Sequence, residues 1–245
     1  MNSLVPSPVR DRVILLSGSG LITAVSWWYM IRMAAGHHHA AMDLTTLFVM
    51  WTVMMVAMML PSTLPFVFAF SAEQRLRRAR RAPVVPSAIF VAGCFTLWTA
   101  FSAVCALLQQ FLHSEALLSP AMAATSSVLA GALLIAAGAY QWTPLKDACL
   151  RHCRSPFTLL LSGWRDGATG AFRMGASHGL FCIGCCWMLM LLPFAAGVMN
   201  LLWMAGLTVF LMVEKAAPGG DWIGRACGAV LALAGAYVLL TGVPL

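Results

Sequence analysis

The side chains with the most versatile chemistry lie together in one apolar stretch, Met174–Met188. It contains His178, Cys182, Cys185 and Cys186 in a run that is otherwise apolar enough to cross a membrane. Thiolate and imidazole are ligands for transition metals, whereas a buried cysteine without a partner packs as a small apolar side chain. An ionisable residue within an apolar span is a functional hypothesis by default. The stretch therefore favours a metal site over simple packing.

Helical spacing limits what this stretch can do alone. His178 and Cys182 are one turn apart and could bind one ion together, whereas His178 and Cys185 are separated by about 10 Å of helical rise. With metal–ligand bonds of roughly 2.0–2.3 Å, one ion cannot reach both in a straight helix. Cys182 and Cys185 also form a C-x-x-C motif, so thiol–disulfide exchange stays open as an alternative. For metal binding, the helix needs ligands from other elements.

Four methionines in a second apolar stretch could supply such ligands. Met54 and Met58 share one helical face, as do Met55 and Met59, because residues four apart stack along a helix. Thioethers are soft ligands suited to Cu(I). The alternative is that these methionines fill gaps in an apolar core.

A second pair of cysteines precedes the first stretch. Cys149 and Cys153 are one turn apart if their segment is helical, so their sulfurs could share an ion or form a disulfide. The neighbouring Arg151, His152 and Arg154 favour the thiolate form of both cysteines.

Two peripheral features complete the set of candidate residues. His37, His38 and His39 form a tract typical of metal capture and predict an entry site. Glu214 ends an apolar run and is a candidate proton or charge partner, unless it merely pairs with Lys215 or a neighbouring arginine.

The composition places these residues in a membrane protein. The chain is 61% hydrophobic and 9% charged, whereas soluble domains carry about 25% charged residues. We expect one all-α domain, a polytopic transmembrane helix bundle of about seven spans. The predicted spans are 13–33, 44–70, 85–112, 121–142, 169–197, 200–213 and 222–242.

The basic residues predict the orientation of this bundle. Of the 15 lysines and arginines, all except Arg32 fall on one side when the N-terminus is cytoplasmic and the C-terminus periplasmic. We therefore expect a multi-pass protein of the bacterial inner membrane, with an uncleaved first helix after Arg10 and Arg12. The basic run 75–81 is expected to lie against anionic lipid, and no nucleic-acid partner is predicted.

Several motifs resemble the bacterial family DUF2182, described as predicted metal-binding integral membrane proteins. The resemblance covers roughly residues 45–225. It is carried by Met50-Trp51-x-x-Met54-Met55-x-Ala57-Met58-Met59-x-Pro61, Pro144-x-Lys146-x-x-Cys149-x-x-x-Cys153-Arg154-x-Pro156, His178-Gly179-x-x-Cys182-x-Gly184-Cys185-Cys186-Trp187, Gly197-x-Met199-Asn200 and Glu214-Lys215. The resemblance implies an integral membrane protein that binds a metal, without naming the metal or a reaction.

The residues together predict a protein that binds a soft metal, with Cu(I) as first choice and Zn(II) as second, for transport, delivery or homeostasis. Capture at the histidine tract, passage along the methionines and binding at a site shared by spans two and five are expected. Cys149 and Cys153 would cap this site from inside. The lipid bilayer, the metal, and a metallochaperone or client membrane metalloprotein are the expected partners.

Two other functions remain open. A membrane thiol oxidoreductase would cycle Cys182–Cys185 or Cys149–Cys153 through a disulfide, and an assembly factor would mature another membrane metalloprotein. The sequence contains no Ser-His-Asp set, phosphate-binding glycine loop or dinucleotide fingerprint. A non-enzymatic role is therefore favoured over catalysis.

Overall fold

The structure is a computed structural model that describes residues 8–36, 43–119, 122–156 and 163–242. Over these ranges the secondary structure is helical, apart from a single bridge between Leu118 and Ala124. The helices are α1 (Pro8–Ala35), α2 (Leu44–Ala79), α3 (Ser87–Ser114), α4 (Ser127–Tyr140), α5 (Pro144–Arg154), α6 (Gly167–Leu191), α7 (Pro193–Ala196), α8 (Leu201–Ala216) and α9 (Gly220–Thr241).

Five helical segments in the described ranges are long and apolar enough to cross a membrane. They are α1, α2, α3, α9 and the segment formed by α6 with α7. Helices α4 and α5, bent by 65° relative to each other, would make a sixth if they form one broken span. Helix α8 has 16 residues. The all-α membrane bundle is thus confirmed, while seven crossings and their orientation stay predictions.

The helix bounds differ from the predicted spans chiefly in the fourth and fifth spans and the segment between them, and α2 also continues to Ala79 instead of ending at 70. The fourth span begins at Ser127 rather than at 121, because the preceding residues form the Leu118–Ala124 bridge and Ser126 then caps the helix by accepting from the Val128 N–H. The fifth span breaks after Leu191, where Pro193 starts a separate short helix. The stretch predicted as a loop between these two spans contains α5.

Close backbone contact fixes α6 against α3. A Cβ atom at Gly175 would lie 1.9 Å from the carbonyl oxygen of Phe90, so only glycine lets the two helices approach this closely. Further along, Gly179 lies against Cys94. Both contacts advance in the same chain direction, so α3 and α6 run parallel and α6 has little freedom to rotate.

The start of α6 is also tied to the end of α2. The Trp164 indole N–H donates to Asp166 over 2.9 Å, and the Arg77 guanidinium donates to the same carboxylate. These two donors lower the pKa of Asp166. Arg77 additionally stacks over the Trp164 ring, 4.3 Å from its centroid. The register of α6 relative to α2 is therefore constrained near the N-terminus of α6 as well as by packing along its length.

Candidate metal centre

Three cysteines of α6 form the centre of a buried sulfur cluster. Cys182 and Cys185 have no solvent-exposed surface and Cys186 has 1%. The thiols of Cys185 and Cys186 both donate to the carbonyl oxygen of Cys182, over 3.1 and 3.0 Å. Helical geometry thus gathers three sulfur atoms on one buried face of α6.

Helix α2 adds a thioether to this face. The sulfur of Met59 lies 3.7 Å from the Cys182 sulfur and 4.0 Å from the Cys186 sulfur. The other three candidate methionines, Met54, Met55 and Met58, are buried in the apolar core. Among the described contacts, Met59 is the one of the four that reaches the cysteines.

Helix α5 adds a fourth thiol. The Cys153 sulfur lies 3.9 Å from the Cys185 sulfur. Cys149, one turn earlier, packs on Gly184, where a Cβ atom would lie 2.7 Å from the Cys149 sulfur. The glycine inside the C-x-x-C motif therefore makes room for α5 to cover the cysteines of α6. We name Met59, Cys153, Cys182, Cys185 and Cys186 the sulfur cluster.

Ion pairs hold α5 in this position. Asp147 pairs with Arg225 over 3.0 Å, and Arg154 pairs with Asp221 over 2.9 Å. Arg154 also donates to the Ala217 carbonyl oxygen over 2.6 Å. The exposed side of α5 is thus tied to α9 and to the connection before it, while its cysteines face α6.

A buried lysine of α8 lies in contact with the sulfur cluster. The Lys215 ammonium is 3.3 Å from the Cys182 sulfur, 4.0 Å from the Met59 sulfur and 3.1 Å from the Ser62 hydroxyl. From the sequence, Lys215 counts only among the basic residues that predict membrane orientation, so its contact with the cysteines is not predicted. The Glu214-Lys215 motif and its place at the end of an apolar helix were the available signals.

Glu214 faces the opposite way from its neighbour. The interpretation that it pairs with Lys215 or an arginine is wrong, because its carboxylate accepts from the buried ammonium of Lys146. Lys146 also donates to the amide oxygen of Gln141. The second carboxylate oxygen of Glu214 and the amide nitrogen of Gln141 have no partner among the described residues. The Lys146–Glu214 ion pair therefore joins α8 to α5.

The predicted histidines are placed differently from the cysteines. His178 is buried, as a shared site with Cys182 requires, and its ring packs on Phe66 at a centroid distance of 3.9 Å and on Phe90 at 6.2 Å. It therefore stands one turn before the sulfur cluster, between aromatic rings. The predicted entry site at His37, His38 and His39 lies outside the described residues.

The sulfur–sulfur distances are compatible with a shared soft ion. With metal–sulfur bonds of about 2.3 Å, two sulfurs on one ion are separated by at most about 4.6 Å. The contacts of Met59 with Cys182 and of Cys153 with Cys185 fall within this limit. Within the described ranges, no three His, Cys, Asp or Glu side chains already converge as a metal site. Each of these two sulfur pairs is therefore close enough to hold a soft ion between its members.

Comparison with known proteins identifies the family. No curated protein and no solved structure matches the chain. A family model described as PpoB2, copper chaperone, matches residues 48–238, which include every member of the sulfur cluster. The match is consistent with the resemblance to DUF2182, under a different family name. The chain therefore belongs to the PpoB2 copper chaperone family.

Proposed function

We propose that this protein binds Cu(I) as its cargo at the sulfur cluster and delivers it to another protein. The observation that carries the proposal is that a sulfur atom of α2 and one of α5 each lie within 4.0 Å of a cysteine sulfur of α6 in a buried site. Thiolate and thioether ligands suit soft metals, among them Cu(I) and zinc. Membership of a copper chaperone family supports the choice of Cu(I).

The thioether favours copper over the second choice, Zn(II). Structural zinc sites use four thiolate or imidazole ligands in tetrahedral geometry, and Met59 does not belong to that set. Cu(I) accepts thioether ligands and low coordination numbers. His178, one turn from Cys182, remains a candidate ligand for cargo that enters or leaves the cluster, and Cys149 is the corresponding candidate on α5.

The proposed route runs through the membrane bundle. Copper is captured at His37, His38 and His39, passes the methionines of α2, and is held at the sulfur cluster. Release takes place on the cytoplasmic side, where α5 covers the cluster. This route rests on seven crossings with a cytoplasmic N-terminus in the bacterial inner membrane.

The proposed recipient is a soluble metallochaperone or a client membrane metalloprotein. Transfer from thiol to thiol requires the recipient to reach the cluster, and α5 is the element that covers it. Because partly exposed ion pairs contribute little to stability, the two on the outer side of α5 can break at low cost, while the buried Lys146–Glu214 pair keeps α5 attached to the bundle.

The proposal is tested by loading the full-length protein with Cu(I) under anaerobic conditions in detergent. The copper and zinc bound per chain are then measured by inductively coupled plasma mass spectrometry. We expect wild type to retain copper in preference to zinc, and Cys182→Ser and Cys185→Ser to lose it. Cys105→Ser is the matched control, because Cys105 is also a buried membrane cysteine but belongs to α3, outside the cluster.

Two outcomes would overturn the proposal. Equal copper retention by the two cluster variants and by wild type would exclude the cluster as the binding site. Preferential binding of zinc would exclude Cu(I) as the cargo.

The 3.9 Å contact between Cys153 and Cys185 favours a second candidate, a thiol oxidoreductase. It pairs a cysteine of α5 with one of α6, rather than either pair chosen from the sequence, Cys182–Cys185 or Cys149–Cys153. Trapping of free thiols separates the candidates. A protein that cycles through a reversible disulfide and binds no copper would support the oxidoreductase.

A further inference from the structure

Lys215 and Cys182 bring an amine nitrogen and a thiol sulfur into direct contact. The Lys215 Nζ lies 3.3 Å from the Cys182 Sγ. Both residues are buried, with 9% of Lys215 and none of Cys182 exposed. Because no third group fits between the two atoms at this distance, a single atom bonded to both would link α8 covalently to α6.

Neighbouring groups hold the Lys215 nitrogen at this sulfur. The Nζ donates to the Ser62 hydroxyl over 3.1 Å, and this hydroxyl in turn donates to the Met59 carbonyl oxygen over 2.9 Å. The carboxylate of the adjacent Glu214 pairs with Lys146 instead. The nitrogen therefore has a fixed place beside the sulfur, supported from α2.

This contact makes the chemistry of Cys182 different from that of the other thiols. Its sulfur is closer to the Lys215 nitrogen, at 3.3 Å, than to the Met59 sulfur, at 3.7 Å. An oxidised cysteine sulfur couples with a neighbouring nitrogen as well as with a thiol, whereas a thioether has no hydrogen to lose in such a coupling. Oxidation at Cys182 is therefore directed toward the lysine.

The burial of the pair selects the oxidant. Dioxygen is small and apolar, so it dissolves in hydrocarbon and enters buried sites from which charged oxidants are excluded. Its O–O bond breaks, one oxygen atom forms bonds to the nitrogen and to the sulfur, and the other leaves as water. Of the three protons shared by the nitrogen and the sulfur, one stays on the nitrogen and two leave with the water. Nitrogen and sulfur each lose two electrons, which are the four that dioxygen gains.

We propose that Lys215 and Cys182 form a covalent N–O–S bridge when the copper-free protein meets dioxygen. The bridge goes beyond copper delivery, because it depends on the two side chains alone. Its consequence for the cargo rests on the proposed function: a bridged Cys182 no longer offers its sulfur to Cu(I), so oxidation closes the sulfur cluster. A dithiol reductant supplies the four electrons that return amine, thiol and water, so the closure is reversible.

The test compares intact masses of the copper-free, full-length protein in detergent. The protein is prepared anaerobically and measured before and after exposure to air-saturated buffer. We expect air to produce a species that is one oxygen heavier and two hydrogens lighter, and dithiothreitol to remove it. Chymotryptic digestion should place the link between the peptides that contain Cys182 and Lys215. Cu(I) retention by the same samples should fall in proportion to the bridged fraction.

Matched variants identify the two partners. Lys215→Arg keeps the charge and Cys182→Ser keeps a small polar side chain, and neither should give the bridged species. Cys105→Ser should still give it, because Cys105 is a buried cysteine of α3 outside the sulfur cluster.

An unchanged mass in air, or the same species in Lys215→Arg, would overturn the bridge. Loss of two hydrogens alone, which indicates a disulfide, would also overturn it, as would gain of one oxygen alone, which indicates a sulfenic acid or methionine sulfoxide. Failure of the proposed function gives a different result. A protein that forms the bridge but binds no Cu(I) in its reduced form would support the bridge and contradict copper as the cargo.

Discussion

Lys146 and Lys215 are both buried lysines near helix ends, but their ammonium groups contact different partners. Lys146, in α5, pairs with the carboxylate of Glu214. Lys215, the next residue after Glu214, lies against the Cys182 thiol and the Met59 thioether. A buried charge costs several kcal/mol unless it is paired, so each ammonium needs its partner.

The Lys146 contact with Glu214 is structural, whereas the Lys215 contact with Cys182 is a candidate functional contact. A carboxylate offers a lysine a lasting counter-charge, which suits an ion pair that joins helices. A cysteine sulfur is also a soft metal ligand, so the group that Lys215 contacts is the same group that would bind copper. The end of α8 therefore divides two roles between adjacent residues, with Glu214 supporting α5 and Lys215 supporting the sulfur cluster.

The largest predicted effect on folding comes from breaking the first pair. Lys146→Leu leaves Glu214 buried without its partner, and we expect the free energy of unfolding to fall by about 3–5 kcal/mol. Unfolding of the protein in mild detergent with added denaturant would measure this change. Lys146→Leu combined with Glu214→Leu should recover most of the loss, because replacing a whole buried pair is often neutral. Wild-type stability in the single variant would contradict the structural role.

Lys215→Leu should affect copper more than folding. Copper bound by several thiolates leaves net negative charge in the cluster, which the ammonium balances, so its loss should weaken Cu(I) binding about tenfold, or about 1.4 kcal/mol. Competition with a coloured Cu(I) chelator measures the affinity. Lys215→Arg keeps the charge and should retain most of the affinity. If Lys215→Leu binds copper as tightly as wild type while losing as much stability as Lys146→Leu, the two lysines have the same role.

Met59→Leu tests whether the thioether belongs to the copper site. Leucine and methionine have similar volumes, and such a change costs less than about 1.5 kcal/mol in a core. We expect Cu(I) affinity to fall a few-fold, since three or more thiols remain nearby. Met50→Leu is the control, because Met50 is equally buried on the same helix and is not one of the four candidate methionines. An equal loss in both variants would assign the effect to packing.

The smallest effect is expected at the exposed end of α5. Asp221→Asn removes the partner of Arg154, whose side chain is 21% exposed while that of Asp221 is 46% exposed. Exposed pairs contribute about 0.2–1 kcal/mol, so we expect a change in that range and unchanged copper stoichiometry. A loss as large as that of Lys146→Leu would show that this pair, too, is essential for the position of α5.

The sequence predicted the membrane helices well because their signal is local. An apolar run of sufficient length identifies a span regardless of its neighbours. Helical spacing, which is also local, predicted that the cysteines of α6 lie in one stripe and that a metal site would need ligands from other helices. It did not give the break at Pro193 as a helix boundary, or α5 as a helix that covers the cysteines.

The members of the sulfur cluster could be predicted only in part, because contacts between helices depend on rotation and depth. Helical periodicity groups Met55 with Met59, but only packing decides that Met59 faces Cys182. In the same way, the sequence proposed Cys149 and Cys153 as a pair, whereas the structure directs Cys153 toward Cys185. Lys215 could not be assigned, because its side of α8 is set by tertiary packing rather than by its neighbour Glu214.

X-ray absorption at the copper K-edge of the Cu(I)-loaded full-length protein tests the sulfur cluster most directly. We predict a Cu(I) edge with sulfur scatterers at about 2.3 Å, a distance typical of metal–thiolate bonds. Cys185→Ser prepared in the same way should retain too little copper to give this sulfur signal, whereas Cys105→Ser should give the wild-type spectrum. A first coordination sphere of nitrogen or oxygen alone, or a spectrum that Cys185→Ser leaves unchanged, would contradict copper binding at this cluster.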